Sequence, residues 1–128
     1  MATKSKKNPT LKDIVAAFKT HKATVGIVGM GYVGLPLAME FGKKHFHVIG
    51  FDIDEAKVKA LNAGKSYIKH ISAAEIAKIR KSGHFEATTE FSRIPESDAI
   101  LICVPTPLGR HNEPDITYIE STAKAIAP

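Results

Sequence analysis

The run Val25–Pro36, "VGIVGMGYVGLP", restricts the fold of this 128-residue chain more than any other stretch. Thr24–Val28 is apolar and β-branched with no alternation, the pattern of a strand buried on both faces as in a parallel sheet. Glycines follow at 29, 31 and 34, and then Val33, Leu37, Ala38 and Phe41 mark the expected buried side of a helix ending near Lys44. His47–Asp52, "HVIGFD", predicts a second strand that closes on an acid 18 residues after Gly34.

A G-x-G-x-x-G loop between a strand and a helix, with an acid at the end of the next strand, is the dinucleotide fingerprint. Gly29 allows the tight turn out of the strand, Gly31 lets the backbone approach a pyrophosphate, and Gly34 permits close packing of helix on sheet. The helix N-terminus offers unpaired N–H groups to the phosphates. Asp52 can accept from the adenosine ribose hydroxyls and would repel a 2′-phosphate, so NAD is favoured over NADP. Lys57, one turn into the next helix, is placed to reach that ribose or a phosphate; an exposed helical lysine is otherwise simply solvated.

The rest of the chain continues the alternation. Thr10 offers an N-cap to a short amphipathic helix over 11–21, with Leu11, Ile14, Val15 and Phe18 at helical spacing, expected to dock on the domain or a partner subunit. Asp54–Asn62 is helical with Val58 and Leu61 inward, and Gly64 suits the left-handed position after it. "SYIKHIS" reads as a loop. Ser72 and Glu75 form a capping box for a helix with Ile76 and Ile79 inward, ended by Gly83. Phe85–Thr88 is a third strand and "FSRIPESD" a turn or short helix. Ala99–Val104 is a fourth strand of the fully buried type, and "PTPLGRHNEPD" a Pro-rich loop. A last helix starts at Asp115 or Thr117, with Ile119, Ala123 and Ile126 on one side. Strands alternating with helices predict an α/β, Rossmann-like, doubly wound parallel sheet, here its N-terminal portion only. In such sheets ligands lie outside the carboxyl ends of the strands at the switch point. That places Thr106 and its stiffening neighbours Pro105 and Pro107 beside the glycine loop, with a plain turn threonine as the alternative.

Charge and cysteine usage narrow the function classes. The net charge of +5 lies in residues 1–22, where six lysines face Asp13 alone; the remainder holds 12 Lys/Arg and 12 Asp/Glu. The basicity belongs to an N-terminal extension, residues 1–23, and not to a domain spanning 24–128, so a nucleic-acid partner is not expected. No apolar run approaches the ~18–20 residues that cross a bilayer. One cysteine excludes an internal disulfide or a cysteine-cluster metal site, and Cys103 at the end of an apolar strand reads as a small buried hydrophobe and not a nucleophile. The six histidines show no metal spacing, His45 and His47 straddling a turn; Glu90, Glu96 and Asp98 show no acid–base pairing. A cytoplasmic protein is expected.

"GIVGMGYVGLPLA", "VIGFDID..KV..LNAGKSYI", "FEATTEFS" and "AILICVPTPL....EPD..YI" together resemble the UDP-glucose/GDP-mannose dehydrogenase family, most of all its UDP-N-acetylglucosamine 6-dehydrogenase branch. The resemblance covers residues 11–128. It implies an NAD-binding domain followed by a helix that mediates dimerisation and by a nucleotide-sugar domain. It also implies oxidation of a sugar C6 alcohol to the carboxylate with two NAD+ through a catalytic cysteine. By resemblance, Tyr32, Val33, Asp52, Lys57 and Thr106 match positions that contact NAD. The same comparison puts the family's catalytic cysteine and lysine beyond Pro128, so no residue of this chain is expected to be catalytic. A nucleotide-sugar dehydrogenase part, inactive alone, and a free-standing NAD-binding or sensing module are both compatible with the sequence. A β-hydroxyacid-type dehydrogenase fits less well, given Tyr32-Val33 and the 105–107 loop. With only half a sheet, a partly uncovered fourth or first strand is expected to bring two copies together, unless Leu11, Ile14 and Phe18 of the N-terminal helix cover it.

Overall fold

The structure, a computed structural model, describes residues 10–104 and 117–126. The elements run α1 (Leu11–Lys19), β1 (Thr24–Val28), α2 (Gly34–Lys43), β2 (His47–Phe51), α3 (Glu55–Asn62), α4 (Ala73–Lys81), β3 (Phe85–Thr88), a 3-10 turn (Phe91–Glu96), β4 (Ala99–Ile102) and α5 (Thr117–Ile126). The four strands form one parallel sheet in the order β3-β2-β1-β4. After β3 the chain crosses back over β2 and β1 before laying down β4, so the switch point lies between β1 and β4. The Rossmann-like expectation holds.

Side-chain alternation sorts the strands between two faces. Val25, Ile27, Val48, Phe85 and Ala87 meet Leu35, Ala38 and Met39 of α2, Val58 and Leu61 of α3, and Ile76 and Ile79 of α4 in the larger core. Val28, Ile49 and Phe51 point the other way, onto Ile94, with Phe91 and Ile100 packed beside them. Ile49 and Phe51 are wholly buried, with the 3-10 turn packed over them through Phe91 and Ile94.

Local signals fix most boundaries. Thr10 and Asp13 close a capping box at α1, Asp13 N–H donating to Thr10 Oγ1 (3.1 Å) and Thr10 N–H to Asp13 Oδ2 (3.0 Å). Ser72 caps α4 by accepting from Glu75 N–H at 3.1 Å. The Glu75 carboxylate goes to Lys43 at 2.9 Å instead of back to residue 72, so only half of the expected box is used and α4 is tied to α2. Gly64 follows α3 with φ +75°, as expected.

Four expectations change. In α2 the buried side is Leu35, Ala38, Met39 and Gly42, with Leu37 and Phe41 partly buried; Val33 precedes the helix and is 66% exposed, because the glycine loop turns it away from the sheet. The fourth strand ends at Ile102 and is only partly buried, since it is the sheet's edge among the described residues. In α5, which starts at Thr117 as one reading had it, the buried position is Thr122 and Ala123 is exposed; Ile119 and Ile126 lie outside the side chains described. Lastly, α1 docks through one end alone. Phe18 and His21 pack on Phe46, which also meets Phe41 edge-on, while Leu11 is 77% exposed.

Candidate functional site

At the carboxyl ends of β1, β2 and β4 a cleft of 780 Å³ opens. Each sheet ladder runs one residue past its strand and sets the cleft's floor. Gly29 N–H donates to Phe51 C=O (2.7 Å), Cys103 N–H to Val28 C=O (2.7 Å) and Asp52 N–H to Thr88 C=O (3.2 Å). The glycine loop and the acid are therefore held by the same backbone lattice that forms the sheet.

The three glycines answer different demands. Gly29 has φ +101°, and a Cβ there would lie 2.6 Å from the Cys103 carbonyl oxygen. A Cβ on Gly34 would lie 1.7 Å from the Gly29 carbonyl oxygen. A Cβ on Gly31 would meet no protein atom within 4 Å, and Gly31 lines the cleft. Fold geometry thus requires glycine at 29 and 34, while at 31 the absent side chain leaves open space at the site itself.

Directly above this loop stands the N-terminus of α2. Side chains of Thr10, Asp54 and Ser72 cap α1, α3 and α4, but no side chain caps α2 and no acid occupies its first turn. Pro36 carries no N–H, Leu35 N–H donates to the Gly31 carbonyl (3.1 Å) and Leu37 N–H to the Val33 carbonyl (3.2 Å), so the Gly34 N–H and the positive dipole end are what this helix start offers an anion. Asp52 faces the same cleft. Its Oδ2 accepts from Met30 N–H (2.8 Å) and its Oδ1 from Asp54 N–H (2.9 Å). Each carboxylate oxygen keeps further acceptor capacity for a ligand hydroxyl.

Of the residues named from sequence, Gly29, Gly31, Tyr32, Val33, Asp52 and Lys57 all line the cleft. Gly34 does not; it packs under the loop, as its expected structural role requires. Pro105 and Thr106 lie outside the described residues. Cys103 is partly buried against the larger core and also lines the cleft, and burial pushes its thiol up from the usual range, away from a reactive thiolate. Among the described residues no cluster of His, Cys, Asp or Glu is arranged to hold a metal ion.

Sequence reading missed two contributors. Ile53 is 80% exposed beside Asp52 and joins Tyr32 and Val33 in an apolar rim; three exposed large hydrophobics at one mouth mark a surface meant to be covered. The only signal was an isoleucine directly after the acid. Tyr67, in the loop after α3, donates its hydroxyl to the Met30 carbonyl at 2.6 Å. The sequence shows only a loop there, because no local pattern links positions 67 and 30.

Comparison with known proteins identifies the family. Residues 23–128 match the model of the UDP-glucose/GDP-mannose dehydrogenase family, NAD binding domain. The chain belongs to that family. It is 42% identical over 108 residues to a UDP-N-acetyl-D-mannosamine dehydrogenase of Escherichia coli (strain K12), covering 83% of this chain and 25% of that protein. It is 41% identical over 107 residues to an NDP-N-acetyl-D-galactosaminuronic acid dehydrogenase of Ralstonia nicotianae, covering 82% of this chain and 24% of the other. A ternary complex of GDP-mannose dehydrogenase from Pseudomonas aeruginosa superposes with a TM-score of 0.74 at 33% identity, over 80% of this chain and 24% of that one. The chain thus spans about a quarter of the length of these relatives.

For this family member, NAD is the cofactor. The residues present fit it. An uncapped helix N-terminus suits a pyrophosphate, the space at Gly31 admits close backbone approach, and Asp52 suits a ribose diol.

Proposed function

We propose that this chain is the NAD-binding part of a nucleotide-sugar 6-dehydrogenase that oxidises the C6 alcohol of a UDP-linked N-acetylhexosamine. The observation that carries the cofactor site is Gly31, where open space coincides with an α-helix N-terminus that, unlike those of α1, α3 and α4, no side chain caps. Bound NAD would supply the hydride acceptor. The chain's own part is to hold it: the Gly34 N–H at the head of α2 and Gly31 at the pyrophosphate, Asp52 at the adenosine ribose, Ile53 against the adenine, and Lys57 at the ribose or a phosphate. Pro105 and Thr106 would complete the nicotinamide side. Residues 1–23 act as a basic extension and 24–128 as the cofactor unit, in a cytoplasmic homo-oligomer.

An N-acetylamino sugar is supported by the names of the relatives from Escherichia coli and Ralstonia nicotianae. Within that class the family resemblance points to UDP-N-acetylglucosamine, whereas the Escherichia coli relative is named for UDP-N-acetyl-D-mannosamine. NADH formation by the longer protein on UDP-N-acetylglucosamine, UDP-N-acetylmannosamine and UDP-glucose tests the choice, and oxidation of UDP-glucose alone would overturn it. The 128 residues by themselves should bind NAD in preference to NADP and give no turnover. Calorimetry should show Asp52→Ala weakening NAD at least severalfold; unchanged affinity would remove Asp52 as the ribose acceptor.

A further inference from the structure

The loop between α3 and α4 lies outside the dinucleotide fingerprint, yet Tyr67 ties it to the fingerprint's centre. Met30 stands between Gly29 and Gly31. Its N–H donates to Asp52 Oδ2, and its carbonyl accepts from the Tyr67 hydroxyl at 2.6 Å. Both backbone groups of Met30 are thus held by side chains from two distant segments. The Met30 carbonyl and the Gly31 N–H belong to one planar trans peptide, so fixing the first fixes the direction of the second. Gly31 has no side chain to restrict its backbone, and such a peptide is free to rotate unless something pins it.

The Tyr67 side of the contact is rigid. Ile68 and Ile71 are buried and anchor the loop, and the Ser66 hydroxyl donates to the carbonyl of Ile68 at 3.0 Å. Lys57 Nζ sits 5.8 Å from the Tyr67 ring centroid. Burial, and then the charges of Asp52 and Asp54, push the phenol's ionisation up, so its hydroxyl remains a donor across the working pH range. Among the described residues no group accepts from the Gly31 N–H, which leaves that donor for a ligand.

We propose that Tyr67 is a positioning residue for the cofactor: by holding the Met30–Gly31 peptide it sets the Gly31 N–H in advance for the pyrophosphate. This rests on the NAD reading and extends it to a residue that lies outside the glycine motif. A preset donor lowers the ordering cost of binding, so its loss weakens affinity without removing a ligand contact.

The test compares the wild-type chain with Tyr67→Phe, which keeps the ring and removes the hydroxyl. Calorimetry with NAD, ADP-ribose and adenosine should show NAD and ADP-ribose weakened about five- to tenfold, the worth of one hydrogen bond. Adenosine, which has no pyrophosphate, should change less than twofold. By NMR the Gly31 amide order parameter should fall while those of α3 and α4 hold, a change that a purely structural role for Tyr67 would not confine to the loop. Unchanged NAD affinity would overturn the proposal, and so would an equal loss for adenosine. If the wild-type chain bound no NAD, the cofactor reading would fall instead; the clamp would then be upheld by a lower Gly31 order parameter in Tyr67→Phe and refuted by an unchanged one.

Discussion

A Cβ at position 34 would lie 1.7 Å from the Gly29 carbonyl oxygen, whereas one at position 31 would touch no protein atom. The same chemical change at two glycines of one motif should therefore report on different properties. Gly34→Ala should lower Tm by about 10 °C or more or prevent folding, because the obstructing atom is backbone and cannot step aside. Gly31→Ala should leave Tm within about 2 °C and weaken NAD at least tenfold. Thermal unfolding and calorimetry on the two variants check both halves; a Gly31→Ala variant that binds NAD normally would count against close backbone approach. Tyr67 adds a pH signature. Its folded phenol ionises later than the unfolded one, which titrates near pH ~10. The folded state then holds the extra proton, so this contribution to stability is intact below pH ~10 and falls as pH rises beyond it. Denaturant midpoints measured through the alkaline range should fall less steeply for Tyr67→Phe than for wild type.

At the scale of elements, the two edges of the sheet are treated differently. The Asn62 side chain at the end of α3 pairs with Ala87 in β3 as another strand would, donating to its carbonyl (2.8 Å) and accepting from its N–H (3.1 Å). This pairs one outward-facing residue of the β3 edge. Asn62→Leu should cost about 1–3 kcal/mol by leaving those two groups unpaired, read as a lower denaturant midpoint. Arg93 ties the 3-10 turn to β3 through Glu86 at 2.7 Å and to Glu96 at 3.0 Å, and its hydrogen bond holds Glu86 below the usual carboxylate range. Beneath that turn the Ser97 hydroxyl is buried with no hydrogen-bond partner among the described residues, facing Gly26. Ser97→Ala should be neutral or stabilise by up to about 1 kcal/mol; a clear loss of stability would reveal a partner for that hydroxyl.

For the whole molecule, β4 is an edge strand among the described residues, with Ile102 40% exposed, and Leu11 and Val15 of α1 are also exposed. Such surfaces lead us to expect association of copies. Light scattering on the 128-residue chain should give a dimer, and a monomer that persists at high concentration would argue against it. The division of labour is clearest here. Three helices and a large core sit on one face to hold the sheet, while the carboxyl ends of its strands carry the cleft.

The sequence by itself determined the α/β alternation, every strand start, the glycine loop and the acid that completes it. These are local signals: period, capping residues, and a fixed spacing between Gly34 and Asp52. Burial in α2 and α5 was misassigned at Val33 and Ala123, because helical periodicity says which residues share a face but not which way the face turns. The partly buried β4 likewise followed from strand order, which no local window contains. Only the tertiary structure decided that Asn62 pairs Ala87 at a sheet edge, that Ile53 joins the cleft's rim and that Tyr67 holds the Met30 carbonyl. Each depends on two segments brought together by parallel strand pairing, and the sequence separation between them carries no pattern to read.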